Sequence, residues 1–212
     1  MSKNLIIIPS FNEKTSLLKI LKKIENKNYV LVMDDCSTDE TSKIIQNRKK
    51  LKIISNKKNY GYEKNLLKAF RKVINSNFEY VITFDADGEH DFKDIEKIKK
   101  YLKIKKPDLL IGTRAKKNRF AESVVGVFFK FFYKLEDPLS GFKAYRIDKL
   151  RNVMKEIKND FYLVDIIKLF LKKQYKVDSI KINSNIFKKR IARVGSNFKA
   201  SIKILKCIKL LI

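Results

Sequence analysis

The chain carries an apolar run, Val81-Ile82-Thr83-Phe84, that passes directly into Asp85-Ala86-Asp87-Gly88-Glu89-His90. A short run rich in β-branched and aromatic residues reads as a buried strand. This one ends in two carboxylates one residue apart, with a third two positions later. In an open α/β sheet the ligand crevice lies at the carboxyl ends of the strands, so acids there meet a ligand and not the core. Asp-x-Asp-x-Glu supplies hard oxygen donors at a spacing that lets Mg2+ or Mn2+ bridge protein and substrate phosphates. A solvated acidic turn after a strand is the plain alternative for this stretch taken alone.

The surrounding sequence alternates strand and helix signals. Asn4 to Ile8 reads as a strand, Pro9 to Asn12 as a turn, and Glu13 to Ile24 as an amphipathic helix with Leu17, Leu18, Leu21 and Ile24 on one face. Tyr29 to Met33 is a second strand, and Ser37 or Thr38 caps a helix through Ile44 and Ile45. A strand over Leu51 to Ser55, a turn at Asn59-Tyr60-Gly61 and a helix holding Leu66, Leu67, Phe70 and Val73 come next. Beyond the acidic strand end lie a helix around Ile95 to Leu102 and a strand from Leu109 to Gly112. Strands alternating with helices imply βαβ units and a mostly parallel sheet.

A second acidic cluster, Asp34-Asp35-Cys36-Ser37-Thr38-Asp39, follows the Leu31-Val32-Met33 strand. A carboxylate there can accept the ring N–H of a nucleobase, while Asp39 and the hydroxyls can cap the following helix. Neither Gly-x-Gly-x-x-Gly nor a Walker A lysine motif occurs, so phosphate would have to be held by metal.

Composition narrows the class. At 212 residues the chain fits one domain with a sizeable core. Forty-nine Lys and Arg against 23 Asp and Glu give a formal net charge of +26, which favours a polyanionic partner: nucleic acid, an anionic membrane or a phosphorylated substrate. A bias toward Lys, Ile, Asn, Phe and Tyr is the compositional alternative. Cys36 and Cys207 match neither a CxxC nor a zinc pattern, which fits a reduced cytoplasmic chain. Every apolar run is interrupted before the roughly 18 to 20 residues a membrane span requires, and no signal peptide is visible.

The ordered landmarks Ile7-Ile8-Pro9-Ser10-Phe11-Asn12-Glu13, Asp34 to Asp39, Asn59-Tyr60-Gly61, Asp85 to His90, Ile111-Gly112-Thr113-Arg114 and Ser140-Gly141-Phe142-Lys143 resemble those of family-2 glycosyltransferases with a GT-A fold. Within that family the chain is most similar to the dolichol-phosphate mannose synthase branch and its bacterial polyprenyl-phosphate relatives. The resemblance implies an α/β GT-A fold over residues 1–196. It also implies that Pro9, Phe11 and Glu13 line the nucleotide, Asp35 hydrogen-bonds the base, and Asp85, Ala86 and Asp87 contact the nucleotide diphosphate. Asp85 and Asp87 would hold Mg2+ or Mn2+, with Glu89 completing the shell where relatives often carry Gln. Arg114, Arg119 and Ser123 would handle the acceptor phosphate. Arg193 and Lys199 would close over the diphosphate, although Arg190 competes for the first of these places. Asp87, Arg114 and Arg193 are the catalytic set.

This set is sufficient for the chemistry. The metal, Arg193 and Lys199 can neutralise charge developing on a departing nucleoside diphosphate. A phosphate acceptor is already anionic near neutral pH and needs cationic positioning, not a base. A hydroxyl acceptor would need one, and Asp137, shortly before Ser140-Gly141-Phe142, is the candidate. His90 reads as a structural hydrogen-bonding residue.

Val124 to Leu135 is unusually aromatic and is either a helix buried on the sheet or a surface that dips into the membrane interface. Phe161 to Leu171 reads as a helix, with late strands at Tyr175 to Ile182 and Asn185 to Phe187. Over 197–212, Phe198, Ile202, Leu205, Ile208 and Ile212 follow helical spacing beside Lys199, Lys203, Lys206 and Lys209. Such a basic amphipathic helix suits an anionic membrane surface. The expected enzyme moves a hexose, with inversion, from a GDP-mannose or UDP-glucose type donor to a polyprenyl phosphate at the cytoplasmic membrane face. The alternatives are transfer to a glycan hydroxyl and, from another class, nucleic-acid binding, for which no recognised motif accompanies the basic residues.

Overall fold

The computed structural model describes residues 3–43, 49–115, 120–157 and 163–183. In chain order it contains β1 (Asn4–Ser10), α1 (Lys14–Ile24), β2 (Tyr29–Asp34), β3 (Leu51–Ser55), α2 (Tyr62–Val73), β4 (Tyr80–Thr83) and α3 (Lys93–Lys105). There follow β5 (Leu109–Arg114), α4 (Phe120–Tyr133), β6 (Lys143–Arg146), α5 (Ile147–Met154), α6 (Leu163–Lys172) and β7 (Val177–Ile182). The strands form one seven-stranded sheet in the order β3-β2-β1-β4-β6-β5-β7. All its pairings are parallel except those of β6, which runs antiparallel to both β4 and β5.

β1 shows why the sheet is central. Alternate side chains of a strand point to opposite faces, and here both faces are covered, so the strand reads as a continuous apolar run. Leu5 and Ile7 join Leu66, Phe70, Phe129, Leu150 and Phe170 on the side of α2, α4, α5 and α6. Ile6 and Ile8 join Leu17, Leu21, Ile95, Ile98 and Leu102 on the side of α1 and α3. Each such buried aliphatic side chain contributes about 1.5–3 kcal/mol through removal from water.

The expected strands and helices of the first half stand within a few residues of their sequence positions, with one departure. Residues 41–43 form a turn, and the rest of the helix expected through Ile44 and Ile45 lies outside the described residues. β6 and α5 were not anticipated. β6 is four residues with a lysine at one end and an arginine at the other, so it offers no alternation to read. Its place between two strands is set by tertiary pairing. The strand at Asn185 to Phe187 and the C-terminal amphipathic helix lie outside the described residues.

Candidate active site

The carboxyl ends of β1, β2, β4 and β5 converge on one edge of the sheet, and the loops leaving them are tied to one another. Asn12, after β1, accepts the backbone N–H of Thr38 at 2.8 Å through its side-chain oxygen, and its own N–H donates to Ser37 Oγ at 2.9 Å. Asp39 accepts the N–H of Lys14 at 3.0 Å, so it caps the start of α1 across the crevice. Capping of a following helix by this run was the expectation; Asp39 also accepts the Thr41 N–H at 3.0 Å, at the start of the 41–43 turn, and the rest of that helix lies outside the described residues. Asp34 is buried and accepts the Ser37 hydroxyl.

Asp35 is buried, and its carboxylate accepts Tyr60 N at 3.0 Å, Gly61 N at 2.7 Å and Asn56 Nδ2 at 2.8 Å. Tyr60 and Gly61 belong to the turn that opens α2, where Gly61 takes φ +83, a conformation that side chains rarely adopt, and Asn56 directly follows β3. Asn56 passes the connection to Asn65, and Asn65 to Met33 O, both at 2.8 Å. A polar chain thus fixes α2 against β2. The residue expected to read a nucleobase holds the Asn59-Tyr60-Gly61 turn in this structure. Asn56 and Asn65 had no signal in the sequence beyond being amides near that turn.

Asp85 sits at the centre. Its Oδ1 accepts the Tyr62 hydroxyl at 2.7 Å, and its Oδ2 meets His90 Nε2 at 3.2 Å. Burial pushes the Asp85 carboxyl up, but His90, Tyr62 and the Arg114 guanidinium together hold it below the ordinary range. Loss of water around the Tyr62 hydroxyl and the adjacent Asp85 charge hold the phenol well above its ordinary value, although the residue as a whole is 40% exposed. Tyr62 is therefore a constant donor to Asp85. His90 is buried between Phe84 and Phe142, with ring centroids 5.8 and 5.3 Å away.

Gly141 completes the seat of Asp85. A Cβ at Gly141 would lie 1.9 Å from Asp85 Oδ2 and 2.5 Å from its Cγ, so the carboxylate packs directly on the glycine backbone. The Thr83 hydroxyl donates to Gly141 O at 2.6 Å and accepts Lys143 N at 3.1 Å, clamping the start of β6 to the end of β4. Lys143 is buried and donates to Ser140 O. Burial pushes its ammonium down to about 8, with Arg114 acting in the same direction against Asp137 and Asp85.

Arg114 ends β5. Its Nε donates to Asp137 Oδ2 at 2.9 Å and its Nη2 to Asp137 Oδ1 at 3.1 Å, a two-toothed pair, and its backbone N–H also donates to Asp137 at 3.1 Å. Arg114 Nη1 faces Glu89 Oε1 at 3.5 Å. Asp137 is 1% exposed, so both its oxygens are engaged by one arginine in a dry setting. Beside Arg114 opens a cavity of about 290 Å³ lined by Thr113, Ala115, Gly126, Val127, Lys130 and Glu136.

The three carboxylates expected to bind metal are turned to different partners: Asp85 to Tyr62 and His90, Glu89 to Arg114, and Asp87 Oδ1 to the backbone N–H of Glu89 at 2.9 Å. Among the described residues no three metal-ligating side chains are gathered into one group. The donor chemistry nevertheless suits a hard cation bound through one or two carboxylates and completed by substrate phosphates.

Other expected positions are distributed as follows. Pro9, Glu13 and Ala86 are buried, Phe11 is 36% exposed, and Ser16 donates to Glu13. Ser123 lies in the first turn of α4. Arg119, Arg190, Arg193 and Lys199 lie outside the described residues.

α4 is buried along one side and exposed along another. Val125 and Phe129 are in the core, while Val127, Phe131 and Phe132 are 69%, 81% and 60% exposed. No helix among the described residues is long and apolar enough to cross a membrane.

Comparison with known proteins agrees with this arrangement. Residues 5–126 match the family described as Glycosyl transferase family 2. An uncharacterized protein of Methanocaldococcus jannaschii is 34% identical over 167 residues, covering 69% of this chain and 73% of that protein. The UDP-N-acetylglucosamine–dolichyl-phosphate N-acetylglucosaminyltransferase of Methanococcus voltae is 23% identical over 187 residues, covering 74% of each chain. A crystal structure of glucosyl-3-phosphoglycerate synthase from Mycobacterium tuberculosis, with Mn2+, uridine diphosphate and phosphoglyceric acid, superposes with a TM-score of 0.71 at 13% identity. That likeness covers 97% of this chain and 78% of that one. A mostly parallel sheet bearing acids at two strand ends, the shared fold and a family match over more than half the sequence lead to one assignment: this chain belongs to glycosyl transferase family 2 and is a glycosyltransferase with a GT-A fold.

Proposed function

We propose that this enzyme transfers a hexose, with inversion, from a nucleoside-diphosphate sugar to a polyprenyl phosphate at the cytoplasmic face of a membrane. The observation that carries the choice of acceptor is the Arg114–Asp137 pair. A hydroxyl acceptor needs a base, and Asp137 is buried and held at both oxygens. A phosphate acceptor needs a cation and no base. The dolichyl-phosphate acceptor in the name of the Methanococcus voltae relative supports the same reading.

In this reading Phe11 offers a ring face to the base beside Pro9 and Glu13, and Asp35 keeps the 59–61 turn in place below the nucleotide. Asp87, with Asp85 and Glu89 near it, would hold Mg2+ or Mn2+, which when bound neutralises charge on the departing diphosphate. Tyr62, His90 and Gly141 hold Asp85 in one orientation, so the reacting geometry is set before the donor arrives. Arg114 positions the acceptor phosphate, with Arg119 and Ser123 as further contacts. Arg193 and Lys199 close over the diphosphate. The exposed Val127, Phe131 and Phe132 give α4 a face suited to the headgroup boundary, and the basic segment 197–212 adds attraction to anionic lipid.

The test is nucleoside diphosphate release from a panel of GDP-mannose, UDP-glucose and UDP-N-acetylglucosamine, with and without divalent cation and a polyprenyl phosphate in detergent. Release from one donor that requires both additions supports the proposal. Release that ignores the lipid and responds to a glycan hydroxyl contradicts it.

A further inference from the structure

Among the described residues, the Arg114 guanidinium stands between two carboxylates. Asp137 takes Nε and Nη2, and Glu89 Oε1 faces Nη1 at 3.5 Å. The Arg114 and Glu89 side chains are only 6% and 16% exposed, so the attraction between them is weakly screened by water. An anion entering the adjoining cavity therefore meets an arginine already neutralised from both sides.

The two carboxylates are held differently. Asp137 is locked by three contacts to Arg114, one of them to its backbone. Glu89 is fixed through its backbone, whose N–H donates to Asp87 at 2.9 Å, while its side chain reaches across to Arg114. It lies two residues from Asp87 at the same strand end, where a cation seated at Asp87 would compete with Arg114 for the Glu89 carboxylate.

We infer that Glu89 is a built-in stand-in for the acceptor phosphate at Arg114, withdrawn when a divalent cation binds beside Asp87. This deepens, and rests on, the polyprenyl-phosphate reading above. Its consequence is linkage: the cation raises the affinity for phosphate at Arg114, and phosphate raises the affinity for the cation by the same factor. Binding of either one therefore favours the other. A glutamine at this position keeps the shape and loses the charge, so the substitution separates the two roles.

The experiment measures binding of a water-soluble, short-chain isoprenyl phosphate to the purified full chain by calorimetry, with no donor present. Wild type and Glu89→Gln are compared with and without Mg2+. In wild type, Mg2+ is expected to tighten binding at least about fivefold, the low end of coupling between linked sites. In Glu89→Gln, metal-free binding is expected to approach the Mg2+-loaded wild-type value, with Mg2+ adding little. A cation that acted only by pairing with the phosphate in solution would help both proteins equally, and that result overturns the proposal. So does metal-free binding that is the same in both proteins. If neither protein binds the isoprenyl phosphate under any condition, while nucleotide-sugar still binds, the acceptor reading itself fails and this proposal falls with it.

Discussion

Replacing Gly141 by alanine tests the seat of Asp85 with a single methyl group. The added Cβ would lie 1.9 Å from Asp85 Oδ2, where real Cβ contacts are essentially never under 3.0 Å. Its three nearest atoms all belong to the Asp85 carboxyl group, and Gly141 has no left-handed φ that would penalise alanine. The backbone therefore tolerates the change, and the carboxylate moves, by roughly 1 Å or more, away from Tyr62 and His90. A displacement of that size at a reacting centre costs about 100-fold, equivalent to about 2.7 kcal/mol of transition-state stabilisation. The assay is donor turnover as kcat/KM, beside a melting curve. We expect a fall of about two orders of magnitude in kcat/KM with a melting temperature within a few degrees of wild type. On an Asp85→Ala background the same alanine should cost almost nothing further, because its target is gone. Full activity in Gly141→Ala would refute the idea that a fixed Asp85 carboxylate is needed, and equal losses on both backgrounds would place the effect elsewhere.

Three further outcomes follow from named contacts. Tyr62→Phe removes a constant donor from Asp85; a hydrogen bond to a charged group contributes about 1.5–3 kcal/mol. Because that donor lowers the Asp85 carboxyl, the acid limb of the kcat/KM profile should shift to higher pH, and an unmoved limb would contradict the assignment. Asp137→Asn removes the charge from the two-toothed pair with Arg114 and should cost up to about 3–5 kcal/mol of stability by chemical denaturation, since it takes from a buried arginine the nearer of its two described carboxylates. An undiminished stability would show that the pair is not the anchor described here. Lys143 is held down at about 8 by burial from an ordinary 10.5, so between those values the unfolded chain binds more protons than the folded one. Stability at this site rises with pH across that window. Lys143→Met should therefore gain up to about 3 kcal/mol relative to wild type near neutral pH and lose that advantage as pH climbs toward 10. A difference that does not change with pH would contradict it.

The strand-then-acid pattern at Asp85 and Asp87 and the alternation of the first half were legible because each is local. β1, β2 and β4 are continuous apolar runs, and α1 and α2 carry a single apolar face. What escaped the sequence depends on contacts between distant segments. β6 is recognisable only from the strands on either side of it. The Tyr62 hydroxyl reaches Asp85 across 23 residues, and Arg114 reaches Asp137 across the same span. The Ser-Gly-Phe-Lys motif was visible, but the reason for its glycine, a carboxylate lying on its Cα, needed coordinates. Asp137 changed meaning most. Its position suggested a base, and its burial against Arg114 made it an anchor. For the same reason Asp137→Asn is no clean test of the acceptor, because it disturbs the arginine as well.

The most direct measurement is the mass of the product formed from nucleotide-sugar, Mg2+ and a polyprenyl phosphate in vesicles. The expected product is a polyprenyl phosphate heavier by one hexosyl residue, formed only when all three components are present. Consumption of the donor with the sugar found on a glycan hydroxyl, and the lipid phosphate unchanged, would contradict it.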